Sequence, residues 1–285
     1  NVGNLEGPAG PTGQAGATVS LLARDDLSLS SAGNITNSAA NGAIALRAGR
    51  SITVNNTNTL AATAGGPISL VANNPFDNMT GVASTRGTGD ASINVNGQIN
   101  ASDVNGLING NVNISMGSGA GLSNTGSGLI TFGTASGIKG KDISIAHGGS
   151  GTATGVRLGG TIQALGLWDT LTDPNNPTLT TAGVLDVAAN NGSITSQPQG
   201  VQLRGSHGGT TVIRARDDIT VSGTWGLNTV SGSGLLGEMK MLAGRSVLVN
   251  GPVSSNNSPI TIKANYSEST DSISDTRLPG NAVIT

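Results

Sequence analysis

The chain of 285 residues contains no cysteine, which excludes a disulfide framework and every cysteine-based metal site. Aromatic residues make up 2%, five in all: two Phe, two Trp and one Tyr. Interiors normally draw on such rings, so this one has to be filled by Leu, Ile, Val and Ala from many similar short strands. The expected core is thin and layered. Charged residues amount to 11%, the net charge is −2, and no run of Lys or Arg alternates with aromatics, so no nucleic-acid partner is indicated. No apolar run approaches the roughly 20 residues that span a bilayer, and there is no basic amphipathic helix. The sequence opens at Asn1 with neither Met nor a visible signal peptide. This predicts a mature or trimmed segment whose targeting information lay upstream.

What the chain does have is a recurring line of residue types. Ile44-Ala45-Leu46-Arg47-Ala48-Gly49-Arg50-Ser51-Ile52-Thr53-Val54 matches Val19 to Leu29, Thr211 to Val221 and Met239 to Val249. Each is an alternating apolar strand, a small Ala, three polar or Gly residues able to turn, and a second alternating strand. Self-similarity of this kind points to a repeat architecture. Val19 to Ile44 is 25 residues, Ile44 to Ile68 is 24 and Met239 to Ile260 is 21, which fits coils of two or three short strands. Glycine is abundant, at 45 residues. Gly33-Asn34-Ile35-Thr36, Asn94 to Ile99, Gly192-Ser193-Ile194-Thr195 and Asn250-Gly251-Pro252-Val253 read as corners, since Asn and Gly tolerate left-handed backbone.

The fold expected is all-β: a right-handed parallel β-helix (solenoid) of about 11 to 14 coils, at roughly 20 to 25 residues each. Such a rod is about 55 to 65 Å long. Residues 1–17, with Gly-Pro-Ala-Gly-Pro-Thr-Gly spacing from Gly7, form an extended, polyproline-like entry segment, too short for a collagen triple helix. Residues 18–285 form a single β-helix with loop insertions near 73–90 and 166–177. The middle keeps only the alternation, as in Asn111 to Met116 and Lys141 to Ile145. Neither terminus reads as a capping helix, so the open ends imply either a longer parent chain or end-to-end self-association.

Chemistry is sparse. Asp25-Asp26 and Asp217-Asp218 are adjacent carboxylates, but they recur at the same corner beside Arg24 and Arg216, as a solvated turn with a local ion pair would. His147 and His207 each stand beside glycines, where turn or surface roles are expected, and neither has a second ligand at zinc spacing. Asp169, Asp173 and Asn175 in the second insertion offer oxygens without the calcium nonapeptide. Arg86 to Asp90 is not a contiguous Arg-Gly-Asp. Sequons at Asn34, Asn78, Asn113 and Asn265 are of the number expected in a chain rich in Asn, Ser and Thr. No catalytic, cofactor-binding or metal-binding residue is assigned, and no cofactor is called for. The remaining enzymatic alternative is a polysaccharide-degrading β-helix.

Leu21 to Leu27, Leu46 to Ile52 and Met241 to Val247 resemble the shaft repeats of filamentous haemagglutinin-type adhesins, exoproteins of two-partner secretion. The resemblance implies a non-enzymatic, extracellular or cell-surface protein. It also implies an outer-membrane secretion partner and roles in adhesion or biofilm, with a host or neighbouring-cell surface or glycan as target. The family's Asn-Pro-Asn secretion motif has no counterpart here, the nearest string being Asn175-Asn176-Pro177.

Overall fold

In Ile44–Ala48 the alternate residues Ile44, Leu46 and Ala48 are buried and Ala45 and Arg47 between them are half-exposed, the period-two pattern of a strand with one face on a core. A computed structural model of the chain describes residues 5–7, 16, 18–29, 33–73, 90–103, 105, 107–117, 128–148, 154–169, 173, 178–205, 209–229, 237–255 and 259–266. It is all-β, built from parallel sheets, and has no helix among these residues.

The chain passes in turn through three lines of parallel strands. The first ladder has nine: Val19–Ala23, Ile44–Ala48, Ile68–Ala72, Val112–Met116, Ile143–His147, Leu185–Ala189, Thr211–Ala215, Met239–Ala243 and Ile260–Lys263. The second runs from Leu27–Ser28 through Ile52–Val54, Ser92–Val95 and Leu129–Phe132 to Val247–Val249. The third runs from Leu5–Gly7 through Ile35–Asn37, Thr59–Ala62, Gln98–Asn100 and Gly137–Gly140 to Val253–Ser255. Two long strands, Thr154–Ala164 and Ser193–Gly205, belong to both the second and third ladders and fuse them into one 15-stranded sheet. They round the corner with a register shift, Leu158 pairing with Ser196 and Gly160 with Val201, where Gly160 (φ 66°) and Gly200 (φ 84°) take left-handed backbone.

Register aligns like with like. Leu21, Leu46, Leu70, Ile114, Ile145, Val187, Ile213, Met241 and Ile262 form one inward column of the first ladder. Its neighbour, next to the turn, is alanine at 23, 48, 72, 189, 215 and 243, with Met116 and His147 between. Aliphatics dominate the core, yet the largest fully buried side chains are Trp225 and Phe132, so two of the few aromatics are spent inside.

Several expectations are corrected. The first ladder has nine strands among the described residues, fewer than 11 to 14 coils require, because the insertions lengthen single repeats. Ile68 pairs with Val112 and Ile143 with Leu185. At about 4.8 Å per strand the nine extend over roughly 38 Å. Inside the entry segment, Leu5–Gly7 pairs with Ile35–Asn37; residues 8–15 and 17 lie outside the described residues. The corner strings straddle boundaries, since Ile35, Ser193 and Val253 already open strands. The 166–177 insertion is more than loop: Leu167–Asp169 pairs antiparallel with Thr178–Thr181. Of the 73–90 insertion only Asn73 and Asp90 are described. Gly16 packs onto the Ala39 to Gly42 corner, its N–H donating to the Ala40 carbonyl at 2.9 Å.

Candidate functional site

The turn between the first and second ladders carries the adjacent carboxylates, and the repeat period decides their partners. Arg50, 24 residues after Asp26, donates from Nε to its Oδ1 at 2.8 Å and adds a second bond from Nη2. Arg245 binds Asp218 in the same way across 27 residues, with the Ser246 N–H also donating to Asp218 Oδ1 at 3.2 Å. An Arg-Asp-Asp turn is thus stacked under a Gly-Arg-Ser turn twice in the chain. In both places the next turn is an Asn at positive φ, Asn73 (51°) and Asn265 (53°), whose N–H donates to the Arg carbonyl below. The strong ion pairs join neighbouring repeats rather than lying within one turn as expected. The local pair, Arg216 to Asp217, is 3.9 Å apart. Arg50 holds the Asp26 carboxyl below the ordinary carboxylate range, first through its hydrogen bond. That contribution to stability is present above the ordinary range and is lost as pH falls through the lowered value.

Asp217 behaves in the opposite way. It is 1% exposed, neither carboxylate oxygen has a hydrogen-bond partner among the described residues, and burial pushes its carboxyl up against the pull of Arg216 and Arg245. An ionised, unsatisfied carboxylate opposes folding above the ordinary carboxylate range, and the cost vanishes once both states are protonated. Asp217→Asn is therefore expected to raise stability near neutral pH by about 1 to 2 kcal/mol, with the gain shrinking towards zero near pH ~3. Asp25→Asn should change stability by less than about 0.5 kcal/mol, since it keeps a polar side chain of the same size and leaves in place the Asp25 backbone carbonyl that accepts from Arg50 N at 2.8 Å. Urea unfolding of each variant at the two pH values measures both effects.

His147 is not in a turn. It closes the strand Ile143–His147, is 3% exposed and occupies the alanine column. Its Nε2 lies 2.7 Å from the Gly128 carbonyl, which can only accept, so Nε2 carries the proton and Nδ1 is a buried acceptor with no partner among the described residues. Burial lowers its pKa. The unfolded chain takes up a proton near pH ~6.5 and the folded one only below that, so acid removes up to about 1.4 kcal/mol per pH unit across the interval. His147→Met, matching its neighbour Met116, should abolish this part of the pH dependence in denaturation curves taken from neutral to mildly acid pH.

His207 and Asn175 lie outside the described residues, as do Asn78 and Arg86. Asp169 ends a strand of the antiparallel pair and Asp173 is exposed. Asn113 faces outward and is exposed. Asn34 and Asn37 bind backbone: Asn34 Oδ1 accepts from Thr59 N at 2.8 Å and Asn37 Nδ2 donates to the Ala43 carbonyl at 3.0 Å. No group of three or more His, Asp or Glu among the described residues is placed to hold a metal, and no helix among them is long and apolar enough to cross a membrane.

Sequence reasoning missed a groove on the outer face of the first ladder. At the second position of its strands, the first five carry Ser20, Ala45, Ser69, Asn113 and Ser144; the last four carry Asp186, Val212, Lys240 and Thr261. Those last four strands line a groove of about 580 Å³, and five of its ten lining residues are charged in a chain that is 11% charged. Leu242, 5% exposed, and half-buried Val212 give it an apolar base. Arg214 Nη2 meets Asp186 Oδ2 at 2.6 Å and Lys240 Nζ meets Glu238 Oε2 at 2.9 Å. Thr261 Oγ1 donates to Glu238 Oε1 at 3.0 Å, and Lys263 Nζ stands 5.4 Å from the centre of the Tyr266 ring. The bond from Lys240, then that from Thr261, lowers the Glu238 carboxyl.

A glycosidic general acid requires a carboxyl whose pKa is raised. The groove's two carboxylates are each tied to a cation and Glu238 is shifted the other way, while the raised carboxyl, Asp217, is buried in the turn. This arrangement can hold a ligand by charge and contact but does not provide a poised acid. No family model, characterised protein or solved structure matches this chain.

Proposed function

We propose that this chain is a right-handed parallel β-helix that serves as the shaft of an exported bacterial surface adhesin or extracellular filament, of the filamentous haemagglutinin type. The observation that carries the reading is the three-ladder order: strand, turn, strand, corner, strand, then back to the first ladder one repeat on, with matching residues in register. A stack of this kind forms a stiff body from one repeated unit and presents its outer face over its whole length. The twice-used Arg-Asp-Asp under Gly-Arg-Ser turn is an interlock between repeats, which suits a load-bearing part. The role is non-enzymatic: to hold contact surfaces away from the cell and to sum weak contacts along the rod. Its partners are a secretion protein of the outer membrane and a cell surface or glycan. A self-assembling filament subunit is the second reading, favoured by the half-buried apolar residues Ile260 and Ile262 on the last strand of the first ladder.

The intact mass of the protein recovered from its own cells under denaturing conditions separates the two. A species far above 28.0 kDa supports the shaft, and one near that value supports the subunit and overturns the shaft.

A further inference from the structure

We infer that the outer groove over the last four strands of the first ladder is a binding site for an acidic saccharide of the uronic-acid class. The inference rests on the proposed surface role and names a ligand for it. Its basis is a change at the second position of the strands, where the small or uncharged Ser20, Ala45, Ser69, Asn113 and Ser144 give way to Asp186, Val212, Lys240 and Thr261, and the chain's one tyrosine, Tyr266, joins the lining just past the last strand.

Two of the groove's cations are neutralised by Asp186 and Glu238. Lys263 is the lining cation with no salt bridge among the described residues, and it lies against the Tyr266 ring. One net positive charge beside an aromatic face, over an apolar base, matches a sugar ring bearing a carboxylate. The carboxylate pairs with Lys263, the ring's C–H face packs on Tyr266, and the hydroxyls find donors and acceptors in the Asp186–Arg214 and Glu238–Lys240–Thr261 sets. The fixed ion pairs do two jobs: they keep the polar side chains in place before a ligand arrives, and their carboxylates repel a denser polyanion. A nucleic acid meets both carboxylates along its phosphate path, so it fits less well.

The test is calorimetric titration of the full chain with a short galacturonate oligomer, with its methyl ester as the uncharged control and a single-stranded oligonucleotide as the polyanion control. The acid form is expected to bind, with affinity falling as salt rises, and the ester to bind at least tenfold more weakly. Lys263→Glu and Tyr266→Ala should each weaken binding tenfold or more, while Asn113→Asp, on the same face but outside the groove, leaves it unchanged. Unfolding curves that superimpose on wild type show that the variants are folded. No heat with the acid form, equal binding of the ester, tighter binding of the oligonucleotide, or full binding by Lys263→Glu would each overturn the inference. The intact-mass experiment is unaffected by any of these, so the shaft reading stands or falls separately.

Discussion

Leu46→Asp is expected to cost about 4 kcal/mol or more and to unfold the repeats around it. Leu46 is 1% exposed, registered between Leu21 and Leu70, with no cation in its inward column. A carboxylate there is buried without a partner, one of the few single changes that reach this size. Leu46→Ala, which leaves only a cavity, should cost about 2 to 5 kcal/mol. The geography of the damage is the sharper readout. Where each repeat touches only its neighbours, a defect spreads by nearest-neighbour coupling. Hydrogen exchange should therefore show protection lost first in Val19–Ala23, Ile44–Ala48 and Ile68–Ala72 and retained longest in Met239–Ala243. Uniform loss along the chain would contradict this.

The second large effect is expected at the corner entering the first ladder. Gly42, Gly66 and Gly110 stack there with their backbones almost touching. A Cβ on Gly66 would lie 1.9 Å from the Gly42 carbonyl oxygen, and one on Gly110 would lie 2.2 Å from that of Gly66. These atoms are backbone, held by two ladders, and cannot swing aside as a flexible side chain does. Gly66→Val should cost about 3 kcal/mol or more, whereas Thr63→Val, exposed on the same corner, should stay within about 0.5 kcal/mol. Equal effects in denaturant titrations would mean that the corners are not in close contact.

The repeat and its period-two pattern were legible because the same residue types return at nearly constant spacing. Interior columns such as Leu21, Leu46 and Leu70 follow from that alone. Features set by register across unequal repeats were not legible. Beside Gly148, His147 looks like a turn residue, and only alignment with Ala189 across an insertion puts it in the core. Asp26 and Asp218 looked like partners of the nearest arginine in sequence. The signal that could have found the true ones was the repeat itself, since Arg50 and Arg245 lie 24 and 27 residues on. Asp186 and Arg214 are 28 apart, a distance that brings side chains together only when the length of that one repeat is known. Nothing in the sequence singles out Gly160 and Gly200, yet pairing resumes past them after a register shift and joins two ladders.

The in-register stacking of parallel repeats across an insertion is the central claim, and a chain with no cysteine of its own allows a clean test. Ser69 and Asn113 are partners on adjacent strands, separated by 44 residues of sequence, and Ser144 is the next along the same outward column. Adjacent strands place Cα atoms about 4.8 Å apart and second neighbours roughly 9.6 Å apart, on either side of the limit of about 7 Å for a disulfide. With Ser69→Cys and Asn113→Cys together, mild oxidation should close an intramolecular bond; with Ser69→Cys and Ser144→Cys it should not. A bond in the second variant, or none in the first, would contradict the stacked register on which the rest of the account depends.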